Sequence, residues 1–311
     1  MELRHLRYFV AVAEELNFTR AADRLHTAQP SLSQQIRDLE DSVGTPLLYR
    51  SKRRVELTRA GEAFLKESRT ILEQVDRAVM TARQTARTES GDLVIGFTPS
   101  AEIKVFPHIL PVLRARLPEV HVILHSMTNP DLHDALWDRE IDIAFLRRTE
   151  LGEDFEIRPL LKEPLVAILP EDHVLAKQTV VDIKQFGQHP FIGISKEKAA
   201  ELRARIQEYL DTQDVKLQTA QDAGNVLTAL NLVAIGVGIC ILPDYVHALA
   251  VKGLTSRPIE GEPYIELCVA WRKANHSSVL AAFLKLLRTT MLETPEADHS
   301  NSNRLKVSAT K

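Results

Sequence analysis

Cysteine is nearly absent from this sequence, which excludes two kinds of site. Cys240 and Cys268 are the only cysteines among 311 residues, and they lie in the apolar runs GVGICILP and IELCVAW, away from any CxxC pair. A disulfide framework or a thiolate metal site needs paired or closely spaced cysteines. Both thiols are therefore predicted to be reduced core residues. We expect no metal and no other cofactor.

Long hydrophobic runs are missing as well. No apolar stretch approaches the ~18 residues that a transmembrane helix needs. The opening residues, MELRHLRYFVAVAEEL, interleave charges with apolar side chains, so they lack the uninterrupted apolar region of a signal peptide. We therefore expect a cytoplasmic protein with no membrane partner.

Motifs of common enzymes are also lacking. Ser100 does not lie in a GxSxG elbow, there is no GxxxxGK(S/T) loop, and Gly236-x-Gly238 follows a predicted helix instead of a strand. His121 and His125 share a strand face, but no third metal ligand is evident, which favours solvated or packed histidines over zinc. The sequence does not predict an enzyme.

Length and charge point to at least two domains with different surfaces. A chain of 311 residues exceeds the common size of one domain. The net charge of −3 is unevenly spread: residues 1–90 hold 15 Lys and Arg against 13 Asp and Glu, and the remainder sums to −5. A mildly basic front on an acidic body fits local contact with DNA.

The stretch Phe18–Glu40 predicts two helices joined by a very short turn, the pattern of a helix-turn-helix. Thr19 is a suitable N-cap for the first helix, residues 26–28 form the corner, and the second helix starts near Gln29 and Pro30. A further amphipathic helix over residues 3–16 covers the pair. Helical spacing assigns the following residues to the shared core: Leu3, Leu6, Phe9, Val10, Ala13, Leu16, Ala21, Ala22, Leu25, Leu32, Ile36 and Leu39.

The outer face of the second helix carries short hydroxyls, amides and a guanidinium, which are groups that hydrogen-bond phosphates and base edges in a major groove. They are Ser31, Ser33, Gln34, Gln35 and Arg37. An ordinary solvated helix has a polar face too, so both interpretations stay open on these residues alone.

Two short strands are predicted after the helix pair, Leu47–Tyr49 and Arg54–Leu57, with Ser51–Arg53 between them as a wing. Four cations cluster on this hairpin: Arg50, Lys52, Arg53 and Arg54. Such a cluster is often a solvated loop, but beside a recognition helix it is placed to meet phosphates or the minor groove.

A long helix is predicted from Thr58 to about Thr88. Two apolar stripes run along it at helical and seven-residue spacing, one suited to a partner helix and one to a neighbouring domain. Helices of about 30 residues are uncommon inside compact domains, which favours a dimerising linker over a core helix. Two DNA-binding heads held side by side match paired half-sites.

Residues 1–66 closely resemble the amino-terminal domain of LysR-type transcriptional regulators. The resemblance rests on the AA, QP(S/P)LS and LT(x)AGE signatures, present here as RAADRLHTAQPSLSQQ and LTRAGEAFL, and it continues more loosely to about residue 292. It implies that Gln29, Pro30, Ser31, Ser33 and Gln34 contact DNA. It also implies that Arg53 approaches the minor groove. At the position of Gln34, some members of the family have an arginine instead.

From Asp92 onward, predicted strands and helices alternate, which favours parallel α/β sheets with crossover helices. The resemblance implies a two-lobed effector domain like a periplasmic binding protein.

The predicted organisation is a winged helix-turn-helix DNA-binding domain over 1–58, a linker helix over 59–88, and an effector domain over 92–292. Lobe I spans about 92–162 and 267–292, and lobe II about 163–266. Residues 293–311, poor in apolar side chains, are expected to be a disordered tail.

Ligands in such sheets bind at the carboxyl ends of strands, near helix N-termini that suit an anion. Each polar residue there is also an ordinary N-cap candidate, and either Arg147 or Arg148 faces the interlobe cleft. The resemblance implies that Ser100, Asn129 and Arg147 line the pocket, since the matching positions do so in aromatic-acid-responsive members of the family. Regulators of phenylpropionate catabolism are the more similar over IGFTPSAE, NLVAIGVG and the segment from RPIEG to VAWRK. The candidates for effector binding are Thr98, Ser100, Thr128, Asn129, Arg147, Ser195 and Asn225.

The resemblance implies a transcriptional activator of a catabolic operon, switched by a small organic acid, with an aromatic or unsaturated carboxylate as the expected effector. It further implies a homotetramer built as a dimer of dimers that binds promoter DNA and contacts RNA polymerase. The alternative from another class is the solute-binding component of a transport system. That alternative matches residues 92–292 but leaves residues 1–88 without a purpose.

Overall fold

The computed structural model describes residues 1–50, 55–89 and 91–292. The chain divides into an amino-terminal unit, Met1–Arg83, and a carboxy-terminal unit that begins at Gln84. The expected tail over 293–311 lies outside the described residues, as does the predicted wing loop over 51–53.

The amino-terminal unit consists of helices followed by a two-stranded antiparallel hairpin and the start of a long helix. Its elements are α1 (Leu3–Glu15), α2 (Phe18–Arg24), α3 (Gln29–Val43), β1 (Leu48–Arg50), β2 (Val55–Leu57) and α4 (Arg59–Glu89). In the hairpin Leu48 pairs with Leu57 and Arg50 with Val55. The predicted helix-turn-helix, hairpin strands and long helix are all present, with bounds shifted by one or two residues.

Helix α3 packs as its periodicity predicts, because Leu32, Ile36 and Leu39 are buried. The prediction for α1 was wrong at its ends: Leu3 is 41% exposed and Leu16 47% exposed. Leu16 has left-handed backbone angles at the C-cap, so its side chain leaves the helical stripe. Ala11 and Val12 take part in the core instead.

The cap of α2 is Asn17, so the assignment of Thr19 as N-cap was wrong. The Asn17 side chain accepts hydrogen bonds from the backbone N–H groups of Thr19 (2.9 Å) and Arg20 (3.1 Å). An asparagine one residue before the helix satisfies two free amide donors, which leaves Thr19 inside the first turn. The corner is where it was predicted: His26 has φ of 50° and α3 begins at Gln29.

Gly61 allows the first turn of α4 to pass close to the strand hairpin. A Cβ atom built on Gly61 would lie 2.0 Å from the backbone carbonyl oxygen of Leu47. The Gly61 N–H donates to the Thr58 hydroxyl (2.9 Å), and that hydroxyl donates to the Pro46 carbonyl (2.8 Å). The helix start is thus bonded to the segment that leads into β1.

The carboxy-terminal unit is built from strands with helices between them. Its strands are β3 (Asp92–Phe97), β4 (His121–Ser126), β5 (Ile143–Arg147), β6 (Phe155–Pro170), β7 (Phe191–Ile194), β8 (Thr219–Ala223), β9 (Cys240–Pro243), β10 (Leu254–Pro258) and β11 (Tyr264–Arg272). Its helices are α5 (Pro99–Lys104), α6 (Phe106–Arg116), α7 (Asn129–Trp137), α8 (Ala200–Thr212), α9 (Val226–Ala234) and α10 (Ser278–Leu292).

The seven-stranded sheet is mixed, so the expectation of parallel sheets was wrong for that sheet. Strand β3 pairs in parallel with β4 and β5, and β7 pairs in parallel with β8. Strands β9, β10 and β11 all pair with β6 in antiparallel fashion. An apolar strand pattern indicates burial but does not tell which direction its neighbour runs.

Strand β6 joins two hydrophobic cores. Its first part pairs with β11 as far as Pro164. Its second part lies between two strands, with Leu165–Ile168 paired to β9 and Val166–Pro170 paired to β10. One core, called here the lobe II core, contains apolar residues between Leu165 and Ile265. Cores on the two faces of β3, β5 and β11 form lobe I. The chain therefore passes between the lobes at residues 164–165.

Both cysteines are buried and unpaired, as the sequence predicts for core thiols. Burial raises the pKa of the Cys268 thiol to about 11 and also raises that of Cys240. Both thiols therefore stay protonated near neutral pH. Among the described helices, none combines the length and apolar character that crossing a membrane requires.

Candidate functional site

The outer face of α3 presents most of the polar residues that the sequence predicts for DNA contact. Gln29, Pro30, Ser31, Gln34 and Arg37 are exposed, while Ser33 and Gln35 are partly buried. Their backbone belongs to a helix whose opposite face is fixed in the core, so these side chains are held on a rigid surface.

Four of the polar residues on α3 are linked by hydrogen bonds. The Arg37 guanidinium donates to the Gln34 side-chain oxygen (2.6 Å) and, at 3.4 Å, to the Ser33 hydroxyl. The Gln34 side-chain nitrogen donates to an Asp38 carboxylate oxygen (2.8 Å). Sequence reasoning missed Asp38, although its spacing of four residues from Gln34 is the signal for such a pair. The network fixes the positions of the Gln34 amide and the Arg37 guanidinium on the outer face of α3.

Two carboxylates hold α3 and its neighbours in place. One Glu40 oxygen accepts hydrogen bonds from the backbone N–H groups of Leu47 (2.8 Å) and Leu48 (3.0 Å), which ties β1 to α3. Glu14 on α1 pairs with Arg24 of α2 (2.8 Å) and Arg69 of α4 (2.7 Å). The two guanidiniums, Arg69 first and then Arg24, lower the pKa of the Glu14 carboxyl.

The wing cations are only partly within the described structure. Arg50 is the last residue of β1, and its side chain is not described. Lys52, Arg53 and Arg54 lie outside the described residues. Their role at phosphates or the minor groove stays a prediction.

In the carboxy-terminal unit, Ser100 and Arg147 meet at one buried carboxylate. The Ser100 hydroxyl donates to Oε1 of Glu163, and the Arg147 guanidinium donates to Oε2 of the same residue. Ser100 and Glu163 are each 1% exposed and Arg147 is 7% exposed. The two donors are thus arranged as a carboxylate-binding pair, with a carboxylate of the chain bound to them.

Strand order explains why Ser100 and Arg147 converge. Ser100 lies at the start of α5, directly after β3, and Arg147 is the last residue of β5. Because β3 and β5 are parallel neighbours, their carboxyl ends meet at one edge of the sheet. The sequence pattern placed the pair correctly at this edge.

Asn129 holds the backbone of Arg147. The Arg147 N–H donates to the Asn129 side-chain oxygen (2.8 Å), and the Asn129 side-chain nitrogen donates to the Arg147 carbonyl (3.1 Å). Asn129 is 4% exposed and Arg147 is the buried arginine of the pair 147–148. The neighbouring Arg148 has a side chain that is 69% exposed and pairs with Glu266 at 3.0 Å. Arg147 therefore belongs to the buried cluster and Arg148 to the surface.

Glu163 belongs to this cluster, and Tyr245 is near enough to feel the charges of Arg147 and Glu163. Sequence reasoning assigned neither residue to the site. In the segment LLKEPL, Leu161, Glu163 and Leu165 alternate onto one face of β6, so a charged residue at an inward position was the available signal. Tyr245 is 5% exposed. Burial raises the pKa of Tyr245 to about 12, with smaller opposing influences from Arg147 and Glu163.

The other predicted effector residues have structural partners. The Thr98 hydroxyl is 3.4 Å from the Phe145 carbonyl oxygen, to which it donates. Thr128 caps α7 through Asp131, and Asn225 caps α9 by accepting from the Thr228 N–H (2.8 Å). The backbone N–H of Ser195 donates to the Ala223 carbonyl (2.9 Å). Within the described part of the chain, no hydrogen bond joins these four residues to Glu163, so they remain proposals.

One polar contact near the cluster connects lobe I with lobe II. Lys104, at the end of α5, pairs with Asp244 at 2.8 Å, and Asp244 opens the 3-10 helix Asp244–Leu249. Ile103 of α5 packs against the lobe II core. The carboxy-terminal end of α5, after Ser100, therefore contacts lobe II.

Two family descriptions match the chain. "Bacterial regulatory helix-turn-helix protein, lysR family" matches residues 3–62, and "LysR substrate binding domain" matches residues 86–292, which is more than half of the chain. The chain belongs to the LysR family of bacterial transcription regulators. Regulators of this family bind promoter DNA and small-molecule effectors.

Relatives match this LysR regulator along nearly its whole length. The Hca operon transcriptional activator HcaR of Escherichia coli (strain K12) is 39% identical over 289 residues, which is 93% of this chain and 97% of that protein. The probable cat1 operon transcriptional activator of Acinetobacter lwoffii is 32% identical over 297 residues, 95% of this chain and 98% of that protein.

Among solved structures, full-length CbnR complexed with its target DNA is similar. It has 27% sequence identity and a TM-score of 0.57, covering 94% of this chain and 100% of that one. These relatives are transcriptional regulators and not enzymes, and nothing in them supports the transport-component alternative.

Proposed function

We propose that this LysR regulator activates a catabolic operon when a small carboxylate, most simply an aromatic one, binds in its carboxy-terminal unit. Two relatives that match it over more than nine-tenths of its length are named as operon transcriptional activators. The proposal takes from them the sign of regulation and the class of target.

The observation that carries the effector class is the meeting of Ser100 and Arg147 at a carboxylate. A hydroxyl and a guanidinium aimed at two oxygens of one carboxylate are a charge-assisted binding pair, which is strong when buried. Asn129 keeps the Arg147 backbone in position. We therefore assign Ser100 and Arg147 to effector contact and Asn129 to positioning.

The DNA-binding surface in this proposal is the exposed face of α3 together with the basic wing. Gln29, Ser31, Ser33 and Gln34 are assigned to base edges and nearby phosphates, and Arg37 to a phosphate. The cations of the wing, Arg50, Lys52, Arg53 and Arg54, are assigned to the flanking backbone on the strength of their sequence pattern.

The proposed assembly is a homotetramer that forms through α4 and contacts RNA polymerase. On α4 the side chains of Ile71 (41% exposed) and Val79 (46% exposed) are large and apolar, and each lies on one of the two predicted apolar stripes of the helix. An exposed apolar stripe on a long helix suits a second copy of that helix. Such pairing provides two DNA-binding heads for two half-sites.

In the proposed mechanism, the effector reorients the two lobes and shifts the equilibrium between tetramer shapes, which changes the bend of the promoter DNA. The regulator acts in the cytoplasm. Residues 1–58 bind DNA, 59–88 pair the copies, and 92–292 bind the effector. Lobe I spans about 92–162 and 267–292, and lobe II about 163–266.

A mobility-shift assay with the DNA upstream of the regulator's own gene tests this function. The purified chain should retard that fragment at low ionic strength, and a reporter fused to the fragment should respond to one of a panel of small carboxylates. Arg147→Ala should abolish the response and retain DNA binding, whereas the surface variant Arg148→Ala should respond normally. Failure to retard the fragment, or a normal response of Arg147→Ala, contradicts the proposal.

A further inference from the structure

The carboxylate of Glu163 takes up both donors that the proposed effector site has for an acid. Oε1 accepts from Ser100 and Oε2 accepts from the Arg147 guanidinium. Glu163 is 1% exposed, so water does not compete for either oxygen. A carboxylate effector that uses Ser100 and Arg147 must therefore replace a group with the same chemistry.

The charge of Arg147 restricts which groups can replace Glu163. A buried guanidinium needs an anion beside it, because an unpaired buried charge is strongly unfavourable. In this structure Glu163 supplies the anion for Arg147, and Asp244 supplies one for Lys104 at 2.8 Å. Neither pair leaves net positive charge for an incoming acid. The effector's net binding free energy from Arg147 is therefore only the difference between its own contacts with Arg147 and the Glu163 contacts that it replaces.

Glu163 also occupies a decisive place in the fold. It pairs with Ile265 of β11, and Leu165, two residues later, pairs with Pro243 of β9 in lobe II. The side chain that contacts Ser100 and Arg147 thus belongs to the strand that joins the lobes.

We propose that Glu163 is a built-in competitor of the effector: its carboxylate holds Ser100 and Arg147, and an effector carboxylate binds by displacing it. This inference rests on the proposed effector site and adds a residue that sets the affinity and the threshold of response. The displaced Glu163 carboxylate must then move away from the Arg147 guanidinium. Because Glu163 lies on β6, this movement occurs on the strand that joins the lobes.

Isothermal titration of the full chain with benzoate and with 3-phenylpropionate tests the competition. The Glu163→Gln side chain keeps the size of glutamate and an oxygen for Ser100, but it has no charge to balance Arg147. We expect at least one of the two acids to bind Glu163→Gln ten or more times tighter than the wild type. The neutral probe benzamide should show no such gain.

Glu266→Gln is the matched control, since Glu266 pairs with the adjacent Arg148 at the surface (3.0 Å). Its affinity for both acids should stay within twofold of the wild type. The reporter response of Glu163→Gln should also reach its midpoint at a concentration at least tenfold lower than in the wild type.

Outcomes separate the competitor role from the site itself. If the wild type binds an acid and Glu163→Gln binds it with the same or weaker affinity, the competitor role of Glu163 is overturned. The proposed effector site is then still supported. Absence of binding by the wild type and by every variant overturns both. If Glu163→Gln fails to fold, Glu163→Asp is measured, since it keeps the charge and Arg147 but shortens the side chain that reaches the two donors. Tighter binding of either acid supports the competitor role, and unchanged or weaker binding overturns it.

Discussion

The side chain of Asn129 and the backbone of Arg147 form a reciprocal pair of hydrogen bonds, 2.8 Å and 3.1 Å long. The amide at the start of α7 thereby behaves like one more residue of the sheet, since it bonds the N–H and the carbonyl at the end of β5. This pairing sets the position from which the Arg147 guanidinium reaches Glu163.

Replacing Asn129 should therefore weaken both the fold and the site. Asn129→Ala removes two buried hydrogen bonds and leaves the Arg147 backbone groups unsatisfied, which costs about 2 kcal/mol of unfolding free energy. Because the arginine loses its fixed position, carboxylate affinity should fall at least fivefold. Urea denaturation and calorimetry measure the two effects.

Asn17→Ala is the control for that variant, because Asn17 caps α2 of the amino-terminal unit with two exposed hydrogen bonds of 2.9 Å and 3.1 Å. Loss of this cap should cost about 1 kcal/mol and leave carboxylate affinity unchanged. Equal loss of affinity in both variants would contradict the positioning role of Asn129.

Arg37 on α3 should contribute to DNA affinity chiefly through charge. Arg37→Ala should weaken binding to specific and random duplexes by a similar factor, and should reduce the slope of log affinity against log salt by about 1. Fluorescence anisotropy at several salt concentrations measures both quantities.

Two further variants distinguish a phosphate contact of Arg37 from a general effect of charge and from base reading. Arg114→Ala removes an exposed cation on α6 and should leave the salt slope unchanged. Gln34→Ala should instead reduce the preference for the operator over random DNA, since an amide reads base edges. A salt slope for Arg37→Ala equal to that of the wild type would remove Arg37 from the phosphate contacts.

The Glu14 pairs should make the amino-terminal unit sensitive to acid. Arg69 and Arg24 lower the folded-state pKa of Glu14, so its stabilising contribution is complete above the unfolded pKa of about 4.3 and is lost as pH falls through the folded value. Glu14→Gln should lower stability by about 1 kcal/mol at pH 7 and by less at pH 4 and below.

Hydrogen exchange of the α1 amides in urea, followed by mass spectrometry, measures the Glu14 effect in the full chain. Glu67→Gln removes an exposed charge from α4 and serves as the control for net charge. The same loss of protection at pH 7 and at pH 3 in Glu14→Gln would show that the ion pairs are not its cause.

Gly61 should tolerate no side chain. Gly61→Ala places a Cβ 2.0 Å from the Leu47 carbonyl oxygen, so β1 or the first turn of α4 must shift, at a cost of about 3 kcal/mol. Gly224→Ala is the matched control, since no atom lies within 4 Å of its Cβ position. Thermal unfolding compares the two, and equal melting temperatures would contradict the packing described here.

Local features were predictable where neighbours along the chain decide them. The buried stripe of Leu32, Ile36 and Leu39 follows from helical periodicity, and the corner before Gln29 follows from turn chemistry. The cap was misplaced because Asn17 and Thr19 are both acceptable caps, and only the observed helix start distinguishes them. The direction of the strands that pair with β6 was not predictable, since burial patterns look alike in both directions.

By itself the sequence determined the helix-turn-helix, the long helix, the strand ends that carry Ser100 and Arg147, and membership of a regulator family, because these depend on residues close together or on recognisable motifs. Only the tertiary structure decided which groups share the site. Glu163 is 63 residues from Ser100 and 16 from Arg147 along the chain. The path of β6 between the lobes brings its carboxylate to both donors, and no local pattern encodes that meeting.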